Sequence, residues 1–444
     1  MTTAQTDLPE HAGTPAHRDG NVLRWLTAYT VSLVGDSVYF VALGWSAQKA
    51  AGPAEVGLVM AAGALPRALF MLAGGVVADR FGPRSVILGS DTLRCLLVLA
   101  MAVALAATAP ALWILVAVAL AFGAVDALFV PAVGALPPRI TTPDQLARVT
   151  GMRSLSTRLS QVAGPPVGGL AMGLGGPAAA FTVAGLLIAL SLPLLLTVRI
   201  RPLGAPGGER PEPGTACPEP GTACPEPRTA RSEPGTARGD LLDGLRYIRR
   251  HRLIGPLVAV GAVCELGLAA TLNVGMVLLN AERGWGPSGY GWIVGGFGAG
   301  AAASAALLAI AGRLPRAGLL MVGTLLAGSA GAATIALVPA LWLAVVLAAA
   351  IGLCAGVFGG LDSALIQTAA DPAYLGRVTS VVMLTMVGLA PLGYPLVGAA
   401  IGAWGAAPVF AACGVLAGLG AASALASDAV RNAELPGRRP GMTS

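Results

Sequence analysis

Residues 72–88 read LAGGVVADRFGPRSVIL: two apolar runs meet at Asp79, Arg80 and Arg84, with Gly75 and Gly82 among them. The runs extend upstream to about residue 54 and downstream to about residue 107. Each is long enough to cross the hydrocarbon of a bilayer, which takes about 20 apolar residues in a helix. Three charges packed into six residues therefore mark where the chain leaves an apolar medium, turns and goes back. Glycine permits the tight turn because it carries no Cβ.

The rest of the chain repeats this contrast. Of its 444 residues 55% are hydrophobic and 11% charged, and the mean hydropathy is +0.74. A soluble domain carries about a quarter charged residues. The apolar runs are continuous and rich in Ala, Leu, Gly and Val, without the alternation of a barrel strand, so the spans are helices. The 61 glycines suit helices whose backbones approach closely. Twelve spans are expected, near 22–48, 54–78, 84–107, 110–134, 147–174, 178–198, 254–280, 287–311, 317–338, 340–366, 373–402 and 405–427.

The connections TAPA (108–111), LGGPA (174–178) and AWGAAP (403–408) fall on one side, with only Lys49 and Arg283 as basic residues. The other side holds Arg80, Arg84, Arg139, Arg148, Arg153, Arg158, Arg313, Arg316, Arg377 and an arginine-rich central loop. Basic residues collect in cytoplasmic loops, so both termini are expected in the cytoplasm. The same bias accounts for a pI near 9.3 without a nucleic-acid partner. The polar first 20 residues hold no apolar run and predict no cleavable leader.

Catalytic and metal chemistry finds little footing. Cys95, Cys264, Cys354 and Cys413 lie in apolar spans, where cysteine behaves as a small hydrophobe. No metal-ligand spacing is present, and no cofactor is expected. The motifs GxxxxGK[ST], HExxH and GxSxG are missing, which argues against an enzyme.

Residues 201–238 interrupt the pattern with a seven-residue unit, GTACPEP, whose Cys217 and Cys224 are followed in phase by Arg231 and Arg238. Its prolines and glycines forbid a coiled coil and predict a disordered linker. The domain plan is a disordered tail at 1–20, a six-helix bundle at 21–198, the linker at 199–239, a second bundle with a surface helix at 240–430, and a tail at 431–444. In the surface helix, DLLDGLRYIRRHRLIG (240–255), Leu241, Leu242, Leu245 and Ile248 share a face, as in a helix lying on the inner leaflet.

The two bundles are related. LARVTGM (146–152) opens span five and LGRVTSV (375–381) opens span eleven. The offset of 229 maps Arg148 onto Arg377, Thr150 onto Thr379, Gly164 onto Gly393, Pro166 onto Pro395 and Gly169 onto Gly398. Parallel six-span repeats build two-lobed transporters with a site between the lobes near the midplane.

At this point the sequence resembles the major facilitator superfamily, over about residues 21–427. GGVVADRFGPR is similar to that family's loop 2–3 motif, carried here by Gly75, Asp79, Arg80, Gly82 and Arg84. The resemblance implies a cytoplasmic hairpin whose acid and arginines lock the two halves together in one state. The degenerate copy AGRLPRAG (311–318) keeps Arg313 and Arg316 but has no acid, so the lock is one-sided. SQVAGPPVGGL resembles the exporters' antiporter motif through Gly164, Pro165, Gly168 and Gly169. Gly151 sits at one upstream glycine position; Ser160 departs from the other. VSLVGDSVYFVAL, LPRALF, VPAVGALPPRI, DGLRYIRRH and LIQTAADPAYLGRVTS resemble the macrolide-efflux and enterobactin-exporter branch.

Ionisable residues inside spans are costly and point to function. Asp36 lies about fourteen residues into span one and Arg67 about thirteen into span two, so at a rise of 1.5 Å both reach the midplane. Their pairing is expected, with Asp36 either a packing partner or a proton carrier. Asp126, Glu265 and Asp362 lie on spans four, seven and ten, which line the cavity in this superfamily, and are candidate cation or proton sites. Asp91 and Arg94, three apart, read as a salt bridge at the inner rim. Span four has no mid-span arginine, which drug antiporters of the family often carry; Arg67 is the candidate for that role. Tyr39, Phe40, Trp45, Phe70, Phe129, Trp292 and Phe358 are candidate cavity aromatics, Tyr39 above all, one turn from Asp36.

The expected fold is an all-α membrane protein of twelve helices in two parallel-repeat bundles. The expected function is proton-coupled export of hydrophobic or amphipathic small molecules by a monomer in a bacterial plasma membrane. Import of a small solute by the same fold is the second reading, and a non-transporting sensor the third.

Overall fold

The computed structural model describes residues 16–108, 111–200, 237–311, 316–372 and 374–434. The GTACPEP repeat with Cys217 and Cys224, Arg313, and the ends of both tails lie outside these residues. The described chain is helical throughout its spans. In the first half, α1 (Gly20–Ala50), α2 (Pro53–Phe81), α3 (Pro83–Ala107) and α4 (Leu112–Ala135) are followed by a short α5 (Pro137–Ile140) and by α6 (Leu146–Leu196). After α7 (Ala237–Arg250), the second half begins with α8 (Ile254–Val263). This helix continues through wide π-type turns at Cys264–Ala269 and Thr271–Gly275 into α9 (Met276–Glu282). Then come α10 (Gly286–Ala311), α11 (Ala317–Ile335), α12 (Leu341–Ala369), α13 (Leu375–Gly388), α14 (Ala390–Trp404), α15 (Ala406–Leu425) and a short α16 (Asp428–Arg431).

Among the described residues 11 helical stretches are long and apolar enough to cross a membrane. One of them contains the 51-residue α6, which holds a non-helical Gly176 (φ 71°, ψ −167°), so it crosses twice and the 11 stretches make twelve crossings. α13 and α14 together form span eleven, with Leu389 between them. Pro391 supplies the reason for the break, since it has no N–H for the preceding turn. The turn between α2 and α3 rests on Gly82 at φ +81°, followed at once by Pro83 as the first residue of α3.

The 229-residue repeat is a repeat of contacts as well as of letters. Gly164 of α6 faces Ser37 and Val34 on α1, while Gly393 of α14 faces Leu266 and Ala270 on the seventh span. Each therefore packs its span against the first span of its own half. Gly169 faces Ser288 and Gly291 on α10, and Gly398 faces Pro53 and Ala54 on α2. Each of these reaches across to the second span of the other half. The partners match too: Gly291 lies on the Pro165 carbonyl and Gly57 on the Tyr394 carbonyl, positions separated by the same offset.

All of these contacts between halves lie towards the ends bearing the short loops 51–52, 174–176, 284–286 and 405. The halves are thus sealed at the short-loop end. A Cβ on Gly57 would fall 2.8 Å from Pro395 Cα. Gly57→Val is therefore expected to wedge the short-loop ends apart. Spin labels on Leu174→Cys and Trp404→Cys should read a longer separation in this variant; an unchanged distance would show that the seam is not closed this tightly.

α7 covers most of DLLDGLRYIRRHRLIG. Ile248 is buried while Leu242 and Leu245 are exposed. Tyr247 stacks on Tyr374 at 4.6 Å and 7°, and its hydroxyl accepts from the Asp371 N–H at 3.1 Å. This ties α7 to the start of span eleven.

Candidate functional site

The centre of the first half is a buried charge cluster built around Arg94 of α3. Its guanidinium, fully buried, offers five N–H donors in a plane. Nη1 lies 2.6 Å from Asp36 Oδ2 of α1 and 3.2 Å from Asp126 Oδ1 of α4. Nη2 donates to Asp91 Oδ1 and, at 3.2 Å, to Ser32 Oγ. Ser191 of α6 donates to Asp91 Oδ2 at 2.9 Å. The ring of Phe129 covers the guanidinium at 3.9 Å from its centroid, a cation–π contact in a desolvated place. On the far side of Asp126, Arg67 Nε of α2 sits 3.1 Å from Oδ2.

Two expectations are corrected here. Asp36 and Arg67 do not pair with each other: Asp36 is held by Arg94, and Arg67 by Asp126. Asp91 and Arg94 do pair, but inside the bundle with Asp36 and Asp126 rather than at the inner rim with the loop motif. The physical reason is depth. Arg94 is eleven residues into α3, about 16 Å along the helix, which places it level with Asp36.

The cluster holds three carboxylates against two guanidiniums. One negative charge is left over, and Asp36 Oδ1 is buried with no hydrogen-bond partner. An unbonded oxygen is far cheaper on a neutral carboxyl than on a carboxylate.

Between the halves lies a cavity of about 630 Å³. Its walls are mostly apolar, among them Phe40, Met60, Leu268, Leu272, Met276, Ile293, Phe297 and Phe358. The charged side chains on the wall are Arg67, Asp126, Arg158 and Glu265, joined by Gln161, Asn273, Tyr290 and Tyr394. Arg67 and Asp126 thus belong both to the cavity and to the buried cluster. Arg67 is 41% exposed on the cavity side.

The remaining expected residues divide. Glu265 lines the cavity within a π-type turn, a local widening often found at functional sites. Asp362 is buried, its Oδ1 unpartnered among the described residues, and it is not part of the cavity lining. Tyr39 is buried and stacked 3.9 Å from Phe122, away from the cavity. Of the other aromatics Phe40 and Phe358 line the wall, Trp45 and Phe129 are buried in the helices, and Phe70 and Trp292 are half-exposed on the outside. Tyr290, Phe297 and Tyr394 line the cavity without having been singled out in the sequence.

In the loop motif Asp79 and Arg80 are exposed, and Arg84 donates to the Leu196 carbonyl of its own half at 2.6 Å. Among the described residues Asp79 makes no ion pair. Gly75 has open space around it; the close approach belongs to Gly74, against Ala127 and Pro131 of α4. In the antiporter-like motif Gly168 packs on Val38 and Val41 of α1, and the Pro165 carbonyl receives Gly291. Ser160 has a use of its own: its hydroxyl lies 3.1 Å from the Thr30 carbonyl, joining α6 to α1. Arg377 stands over the Tyr374 ring at 5.6 Å. Among the described residues no group of His, Cys, Asp and Glu is arranged to hold a metal ion.

Comparison with known proteins agrees with this architecture. The sequence model of the Major Facilitator Superfamily matches residues 25–266. No curated protein matches the chain in sequence. Among solved structures, a bacterial homolog of the human lysosomal transporter Spinster, in an inward-facing and occupied conformation, superposes with a TM-score of 0.68 at 15% identity, covering 92% of this chain and 96% of that one. The nucleoside transporter NupG gives 0.67 at 13% identity over 92% and 99%. A POT family transporter in complex with 5-aminolevulinic acid gives 0.68 at 14% identity over 95% and 98%. At these identities the likeness is one of fold.

Proposed function

The chain belongs to the Major Facilitator Superfamily, and on that premise we propose that this membrane transporter exports hydrophobic or amphipathic small molecules by alternating access, driven by protons. The carrying observation is the double membership of Asp126 and Arg67. They stand in the cavity wall and also belong to a cluster one positive charge short of neutrality. A proton taken up by Asp36 weakens its hold on Arg94. Arg94 then binds Asp126 more tightly, and Arg67 is released towards the cavity. Loss of the proton reverses the order. The charge that faces the cargo is thereby linked to the protonation of a group the cargo never touches.

The apolar wall supports a greasy cargo, and the glycine-proline motif at Gly164–Gly169 supports export rather than import. The arginine-rich ends are assigned to the cytoplasm of a bacterial cell. On that assignment the seal at the short-loop ends corresponds to an inward-facing state, ready to load from inside.

The test is retention of a lipophilic fluorescent dye in cells that express the chain. Export predicts lower retention than in control cells, and a protonophore should restore it. Dye gathered above the control level would mean import. Export indifferent to the protonophore would remove the proton.

A further inference from the structure

We propose that the cavity takes a zwitterionic amphiphile, an apolar body whose cationic nitrogen is met by Glu265 and whose carboxylate is met by Arg158. This rests on the reading of the cavity as the cargo site. Four ionisable side chains line it, and two of them, Arg67 and Asp126, pair with each other at 3.1 Å. The other two are left over. Among the described residues Arg158 of α6 has only the neutral Gln161 Oε1, at 3.3 Å on its own helix. Glu265 has no ion pair and no hydrogen bond among the described residues, and the π-type turn that carries it sits at the cavity wall.

The two spare charges have opposite signs and belong to opposite halves. A cargo that fills an apolar cavity strips water from both. A purely cationic cargo satisfies Glu265 and leaves Arg158 desolvated and unpaired; a purely anionic one does the reverse. Either omission carries the penalty of a buried charge without a partner. A molecule with both charges satisfies both residues at once. It also bridges the halves, so that its binding favours their closing around it.

Three dyes on one xanthene frame separate the possibilities: rhodamine B, a zwitterion; its ethyl ester, a cation; and fluorescein, an anion. Their binding to the purified full chain in lipid nanodiscs is read by fluorescence anisotropy, with no gradient present. Rhodamine B should bind about tenfold more tightly than either relative, roughly what one close charge pair is worth in a partly desolvated site. Arg158→Gln should erase the preference over the ester while leaving the ester's affinity alone, and Arg158→Lys should keep it. Glu265→Gln should erase the preference over fluorescein. Equal binding of all three dyes, binding of none, or an equal loss for all three in both variants would overturn the proposal. If Arg158 and Glu265 instead pair with each other on closing, the dyes will bind alike. Selective binding of rhodamine B without its export would count against the export reading alone.

Discussion

Replacing Arg94 with methionine is expected to lower stability by about 3–5 kcal/mol, the range for removing one partner of a buried ion pair. The variant keeps a comparable apolar stem but strands Asp36, Asp91 and Asp126, with only Arg67 left nearby. Arg94→Lys should recover part of the loss, because an ammonium restores the charge but not the planar fork that serves four oxygens. Thermal unfolding in detergent measures both. The combined variant Arg94→Met, Asp36→Asn, Asp91→Asn should melt higher than Arg94→Met alone, since two of the stranded charges are gone. An Arg94→Met protein with unchanged melting would show that the cluster is not what joins α1, α3 and α4.

Asp36→Asn is expected to abolish proton-driven export and yet leave the protein at least as stable as the wild type. Asparagine fixes the neutral state, so the cycle of gaining and losing a proton is lost. The same change removes the uncompensated charge, and the cluster becomes two carboxylates against two guanidiniums. Asp126→Asn makes the contrast. It is also inactive on this account, but it takes away a carboxylate shared by Arg67 and Arg94, so its melting temperature should fall. Dye export and thermal unfolding, measured on the same preparations, separate the two. If Asp36→Asn melts as low as Asp126→Asn, Asp36 is a packing partner and the spare charge lies elsewhere.

Much of the fold could be read from the letters because hydrocarbon imposes length. Span boundaries fell within a few residues of the helices. The Gly82 turn and the 229-residue repeat carry local signals in glycine and proline. The site was less legible, for reasons that differ by residue. Asp36 and Arg67 were placed by counting depth along their spans. The same count was available for Arg94 from Pro83, but its acid three residues earlier gave it a ready local partner, and the deeper role was passed over. Arg158 reads as one more cytoplasmic arginine, although its distance from Leu146 puts it well inside the span. Which of two midplane acids an arginine meets depends on helix rotation, and the near-uniform Ala-Leu-Gly spans carry little record of that. For the same reason Tyr290, Phe297 and Tyr394 escape a sequence reading, and Phe70 and Trp292 read as cavity aromatics although they face outward: their spans give no apolar face to distinguish lipid from cavity.

The closest points of the seam between the halves are main chain. Gly57 rests on a carbonyl of residue 394 and Gly291 on one of residue 165. Carbonyls are the same whatever side chain follows them, so the closure does not depend on the identity of the cavity lining. A lineage carrying this fold is free to redraw the walls around Arg158, Glu265 and the aromatics for a different cargo, one substitution at a time, without disturbing the joint that keeps the membrane tight. The parts that choose and the parts that seal are inherited on one chain but are open to change separately.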